Sequence, residues 1–152
     1  MKDRFTRGFL SGVIAGIPTL IFSVIAFVLH WTTLRWSSFA AILIYGRKSG
    51  NLSEEIFATL AIFVLCGILG VIIAFLVPKL SSANYLLKCW LFSIAFWFLA
   101  FVVTLLFKVP GLLRIPGRTA VANFVEATIW GLVLGYCLQW FDNRLKVCRE
   151  GR

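Results

Sequence analysis

The chain has 152 residues, 61% hydrophobic and only 14% charged, with a formal net charge of +9 from 15 Lys and Arg against 6 Asp and Glu. A water-soluble domain carries about 45–50% apolar and about 25% charged residues, and a small one exposes too much of its chain to hide such an excess. A soluble globular fold is therefore excluded. The cations lie between and beyond the apolar blocks, where they meet anionic lipid headgroups; no basic polar surface interleaved with aromatics is present, so nucleic acid is not an expected partner.

The expected architecture is all-α: one membrane domain over residues 1–152, a bundle of four transmembrane helices. A helix rising 1.5 Å per residue needs about 20 apolar residues to cross a hydrocarbon core of about 30 Å. The first block, Gly8–Leu29, has 22 residues without a charge and follows Lys2, Arg4 and Arg7. It is longer than the roughly 7–15 residues of a signal-peptide core, and no A-x-A-like site follows, so it is expected to be a retained span. On a helix, Gly8, Gly12, Gly16, Thr19, Ser23, Ala26 and His30 fall within a sector of about 80°. Such a small-residue stripe is a packing face, because lipid provides no hydrophobic push between helices and close backbone approach takes its place. Pro18 points away from this face. Whether the stripe meets the fourth span or another subunit is open at this point.

Next comes an eleven-residue apolar piece, Trp36–Gly46, between Arg35 and Arg47. It is too short to cross and fits an interfacial or re-entrant helix, with Trp31, Trp36 and Tyr45 at headgroup depth. The second span is Ile56–Pro78, 23 uncharged residues preceded by Glu54 and Glu55, which favour the positive end of a helix dipole. The third covers 86–107, its uncharged part being Cys89–Phe107. The fourth, Thr119–Phe141, carries a packing row of its own, Ala127, Gly131 and Gly135. Cys66, Cys89, Cys137 and Cys148 form no C-x-x-C pair. They read as small packing residues and one tail thiol; neither a metal nor a cofactor is expected.

With four spans both termini share a side. The tails and the middle loop hold nine cations (Lys2, Arg4, Arg7, Lys79, Lys88, Arg144, Lys146, Arg149, Arg152), and the other two loops hold six (Arg35, Arg47, Lys48, Lys108, Arg114, Arg118). That bias favours both termini inside.

One residue asks for a function. Glu126 is the sole charged side chain within an apolar block, eight residues past Arg118 and so roughly 12 Å along the helix. A charge at such depth costs roughly 2–3 kcal/mol on insertion scales and faces protein or water. Thr119, Asn123, Glu126 and Trp130 share one face of this helix, separate from the small-residue row. Two roles are open: an ion or proton site built from Glu126, Asn123, His30, Thr119 and Arg118, or a structural pairing of Glu126 with Arg118 or Asn123 that fixes register. At function level these become an oligomeric channel or carrier for ions, protons or small solutes, and a scaffold that binds other membrane proteins or lipids through span 1. The first needs a homo-oligomer, because four short helices leave little room for a conduit.

No catalytic residues are expected: there is one His, and no G-x-S-x-G, H-E-x-x-H or P-loop pattern. Asn123-x-x-Glu126 resembles the Arg…Asn-x-x-Glu helix of the small glutathione-dependent membrane enzymes of the MAPEG type. However, the pair lies in the last span, not the second, and Arg118 is one position too far away, so a glutathione site is not expected. The order of features along most of the chain resembles the bacterial YqhR-type four-span membrane proteins. The resemblance rests on Gly8-Phe9-Leu10-Ser11-Gly12, on Leu29-His30-Trp31-Thr32, on an aromatic third span ending before Pro110-Gly111, and on the run Trp130-Gly131-Leu132-Val133-Leu134-Gly135-Tyr136. It implies a multi-pass protein of a bacterial cytoplasmic membrane and carries no functional residue across.

Overall fold

The computed structural model describes residues 3–79, 84–113 and 115–150, the side chains of 144–150 excepted. Of the residues named above, Lys2, Arg114 and Arg152 lie outside the described residues, as do the side chains of Arg144, Lys146, Cys148 and Arg149. Every regular element among the described residues is helical: α1 (Arg4–Val28), α2 (Trp36–Tyr45), α3 (Leu52–Leu76, running on into a 3-10 turn Val77–Lys79), α4 (Tyr85–Leu106) and α5 (Gly117–Glu150). Four are long and apolar enough to cross a membrane, and large side chains such as Ile21, Val64, Phe98 and Val121 lie exposed on them. In water that surface would be prohibitive, whereas in lipid it costs nothing. The chain is a multi-pass helical membrane protein.

The helices overrun the apolar blocks, because charged residues at a span's end can be helical while lying outside the hydrocarbon. α1 begins at Arg4, four residues before Gly8, because the Asp3 carboxylate accepts from the N–H of Phe5 (3.0 Å) and of Thr6 (3.2 Å) and so caps the first turn. α3 begins at Leu52 with Glu54 and Glu55 in its first turn. α5 continues unbroken past Asn143 to Glu150, where the sequence reading ended the span at Phe141. α1 stops in a Schellman turn: His30 is left-handed (φ 54°), its N–H donates to Phe27 O, and Trp31 N–H donates to Ala26 O. α4 ends in the same way at Lys108 (φ 47°), with Val109 N–H on Thr104 O.

The glycines of the α1 stripe, Gly8, Gly12 and Gly16, pack against α3 of the same chain. A side chain at Gly12 would run into the carbonyl of Cys66, and one at Gly70 into the carbonyl of Gly8, so the two backbones touch as in other small-residue crossings. The Ala127–Gly131–Gly135 row of α5 faces α4. A Cβ on Gly131 would lie 2.7 Å from Ser93 Cβ, and Ser93 Oγ donates to Ala127 O at 2.5 Å. α1 also meets α5, where Trp130 Nε1 donates to Gly12 O (3.1 Å). The four long helices thus stand in the lateral order α3, α1, α5, α4.

That row curls until its two ends approach without extended contact between α3 and α4. α2 lies across one end of the bundle, the loop face, against α3. Its Phe39 and Ile42 pack on Leu34 and on Leu112 of the α4–α5 loop. At 10 residues, or about 15 Å, it is too short to span, as its sequence implied. At the opposite, terminal face, Arg7 Nη1 meets Asp142 Oδ1 at 2.5 Å, and Tyr85 Oη donates to Asp142 Oδ2 at 2.8 Å, which ties together α1, α4 and α5. Between that clamp and mid-bundle, Ile73, Val77, Cys89, Trp130, Leu134 and Leu138 fill the core.

Candidate functional site

Inside the curl lies a cavity of about 90 Å³, partly open and reached by side chains of all five helices. By this measure one water needs about 10–15 Å³, so several fit. Glu126 projects into it from α5 and is fully buried (0% exposed). Ser23 faces the carboxyl from α1. α3 contributes Ile62, Phe63, Leu65 and Cys66, and α4 contributes Ser93, Phe96 and Trp97. Trp36 and Ser37 of α2 close the loop-face end.

Both carboxyl oxygens of Glu126 lack a hydrogen-bond partner, as do Ser23 Oγ, Trp97 Nε1, and both polar atoms of the buried Asn123 side chain one turn away. Other polar groups on the wall are committed elsewhere. Thr19 Oγ1 donates to Ala15 O, Thr59 Oγ1 to Glu55 O and Ser93 Oγ to Ala127 O. Among the described residues no Lys, Arg or His lines the cavity, where Glu126 and the Cys66 thiol are the titratable groups. A buried carboxylate without a counter-charge or hydrogen bonds is costly by several kcal/mol. Whatever enters the cavity, water or a cation, therefore meets this carboxyl and the facing Ser23 hydroxyl first.

The structure separates the other residues grouped with Glu126 by sequence. Thr119 is buried, but its hydroxyl is taken by Thr33, accepting from the Thr33 N–H at 3.1 Å and lying 3.2 Å from the Thr33 Oγ1; it locks the start of α5 to the α1–α2 connection. Arg118 and His30 are exposed and do not line the cavity. His30 serves the backbone turn that ends α1. Among the described residues no ion pair reaches Glu126, so neither half of the structural pairing with Arg118 or Asn123 is present.

A second polar cluster abuts the loop-face end of the cavity. Glu55 Oε1 accepts from Arg35 Nη2 and from Ser37 Oγ, both at 2.7 Å, and Glu55 Oε2 accepts from Ser49 Oγ. The Arg35 guanidinium also sits 4.6 Å from the Phe27 ring centroid, within cation–π range. Because Ser37 and Thr59 both bond to Glu55 and line the cavity, this cluster forms its lid. Sequence reasoning gave Glu54 and Glu55 a dipole role, with an external cation site as the alternative, and did not single out Trp97, whose isolated aromatic character carries no signal until α4 is placed. Comparison with protein-family models, curated proteins and solved structures returns no match, so the functional reading stands on this geometry.

Proposed function

We propose that the protein is a membrane carrier for a proton or small cation, with Glu126 as the group that takes the charge. One observation carries the reading: a fully buried carboxyl, both oxygens unpartnered, opens into a cavity walled by all five α-helices of the described residues. Intramembrane acids are expensive to retain and mark ion or proton pathways, and of the structural partners that would account for this one, Arg118 is exposed and Asn123 makes no hydrogen bond to it.

A carrier fits better than an open channel. The packed core around Trp130 and Leu134 fills the bundle between cavity and terminal face, and the Arg7–Asp142–Tyr85 clamp closes that face. An occupant can pass only if helices move. A monomer has the whole cavity, so association of copies, expected from the sequence, would multiply the site, not create it. The scaffold alternative loses the surface assigned to it, because the small-residue face of α1 is spent on α3. With both termini on the cytoplasmic side of a bacterial membrane, Glu126 lies nearer the outer surface.

Purified protein in liposomes, given an imposed pH gradient and followed with an internal pH dye and isotopic Na⁺ and K⁺, tests the reading. Wild type should move protons or a cation faster than protein-free vesicles, and Glu126→Gln should return the flux to background. Flux in the Gln variant equal to wild type, or none in wild type, would overturn it.

A further inference from the structure

The long helices form a row whose ends, α3 and α4, face each other across the cavity without packing together along their lengths, although each packs firmly on its other neighbour. The cavity is partly open and is lined on that side by residues of both helices, so the seam between α3 and α4 is the side on which it meets the lipid-facing wall. Leu65, on the α3 edge of the cleft, is 38% exposed. On the α4 side, Trp97 lines the same cavity and is held by edge and tilted contacts to Phe124 (5.4 Å between centroids) and Phe101 (5.3 Å). A route from the bilayer to Glu126 thus runs between aromatic and aliphatic walls and does not cross the polar lid.

The wall chemistry narrows what the site can take. Hard divalent cations want six or more oxygen ligands, and no grouping of three or more His, Cys, Asp or Glu able to hold a metal exists among the described residues. Ser23 faces the single carboxyl, and Phe63, Phe96 and Trp97 line the same cavity. Aromatic faces beside one acid suit a weakly hydrated organic cation, which gains from ring quadrupoles once desolvated, whereas an anion would meet the Glu126 charge unshielded.

We infer that this cavity binds an amphipathic organic ammonium ion, its charged head at Glu126 and its apolar body in the α3–α4 cleft, taken directly from the lipid phase. The inference rests on the reading of Glu126 as the charge-taking group and adds the ligand class and the lateral entry.

The test is equilibrium binding of radiolabelled benzyltrimethylammonium to the full chain in lipid nanodiscs, with neopentylbenzene, its uncharged isostere, and Na⁺ and K⁺ as competitors. Saturable binding is expected, displaced by neither the isostere nor the inorganic ions. Glu126→Gln should weaken it at least tenfold, and Trp97→Leu several-fold. Replacing Leu65 by Trp, which narrows the cleft, should slow association more than it changes affinity. Helix content and the unfolding midpoint of each variant confirm that it is folded. Equal competition by neopentylbenzene would reduce the site to a greasy pocket and overturn the inference, as would binding unaffected by Glu126→Gln. Glu126-dependent flux of protons or Na⁺ without ammonium binding would overturn it while leaving the carrier reading intact. Failure of the carrier reading would appear separately, as liposome flux indifferent to Glu126.

Discussion

Replacing Glu126 by Met should make the protein more stable while removing its proposed activity. Glu and Met have similar volume, so the exchange neither opens a void nor overpacks the cavity wall. The two carboxyl oxygens have no hydrogen-bond partner, and each buried polar group left unsatisfied costs about 1–3 kcal/mol. An acidic side chain deep in a span also carries a transfer penalty of about 2.5 kcal/mol or more, against a small gain for an apolar one. These two figures describe the same desolvation and do not add. A chain unfolded within the membrane finds some partners for the carboxyl, which trims the difference. The expected gain for Glu126→Met is about 1–3 kcal/mol, whereas Glu126→Gln, which keeps the polar atoms buried, should stay within about 1 kcal/mol of wild type. Reversible unfolding in mixed micelles with rising dodecyl sulfate mole fraction, followed by helix signal, measures both. A loss of 1 kcal/mol or more in the Met variant would show that the carboxyl holds the fold together and would remove the ground for a functional site.

The backbone crossing of α1 and α3 makes Gly12→Ala costly, by about 1–3 kcal/mol, because the added methyl meets the Cys66 carbonyl; Gly117→Ala, with nothing within 4 Å, should lie within about 0.5 kcal/mol of wild type by the same unfolding measurement. At the terminal face, Asp142→Leu should cost about 1–3 kcal/mol, because it strands the Arg7 side chain, 8% exposed, beside a partner that is itself 39% exposed and so partly screened. The double variant Arg7→Leu with Asp142→Leu should recover most of that loss, and a thermodynamic cycle over the four proteins reads the coupling. His30→Gly should retain flux and gain up to about 1 kcal/mol, since glycine adopts the left-handed turn (φ 54°) without the Cβ clash; loss of flux would return His30 to the site. The Thr6 hydroxyl, followed by the backbone N–H groups of Phe5 and Thr6, holds the Asp3 carboxyl below its ordinary value of 3.8. Its folded value being the lower one, its contribution to the first turn is complete above that ordinary value and is lost as pH falls through the folded value. Amide exchange at Phe5 and Thr6 should accelerate there in wild type but not in Asp3→Asn.

What the sequence made legible was whatever is local to one helix. An uncharged run of about 20 residues is its own evidence for a span, and the glycine rows of α1 and α5 and the isolation of Glu126 follow from spacing alone. Partners were not legible. Gly12 meets Cys66, Arg7 meets Asp142 and Arg35 meets Glu55 only because of the order in which helices stand, and apolar periodicity says nothing about which helices are neighbours. The same limit grouped His30 and Arg118 with Glu126 by shared membrane depth, although depth does not fix azimuth. The cavity depends on α3 and α4 not packing together along their lengths, which no residue in either helix encodes by itself.

α5 leaves the membrane without a break. At 34 residues and 1.5 Å per residue it is about 51 Å long, so about 20 Å stands beyond a hydrocarbon core of about 30 Å. A protein this small gives an electron microscope almost nothing to align on, yet a rod continuous with the helix that bears Glu126 is a ready-made mast. A soluble helical module spliced onto it in phase would inherit the rotation and tilt of α5, and any rocking of that helix during turnover would be read outside the bilayer as an arc swept by the module.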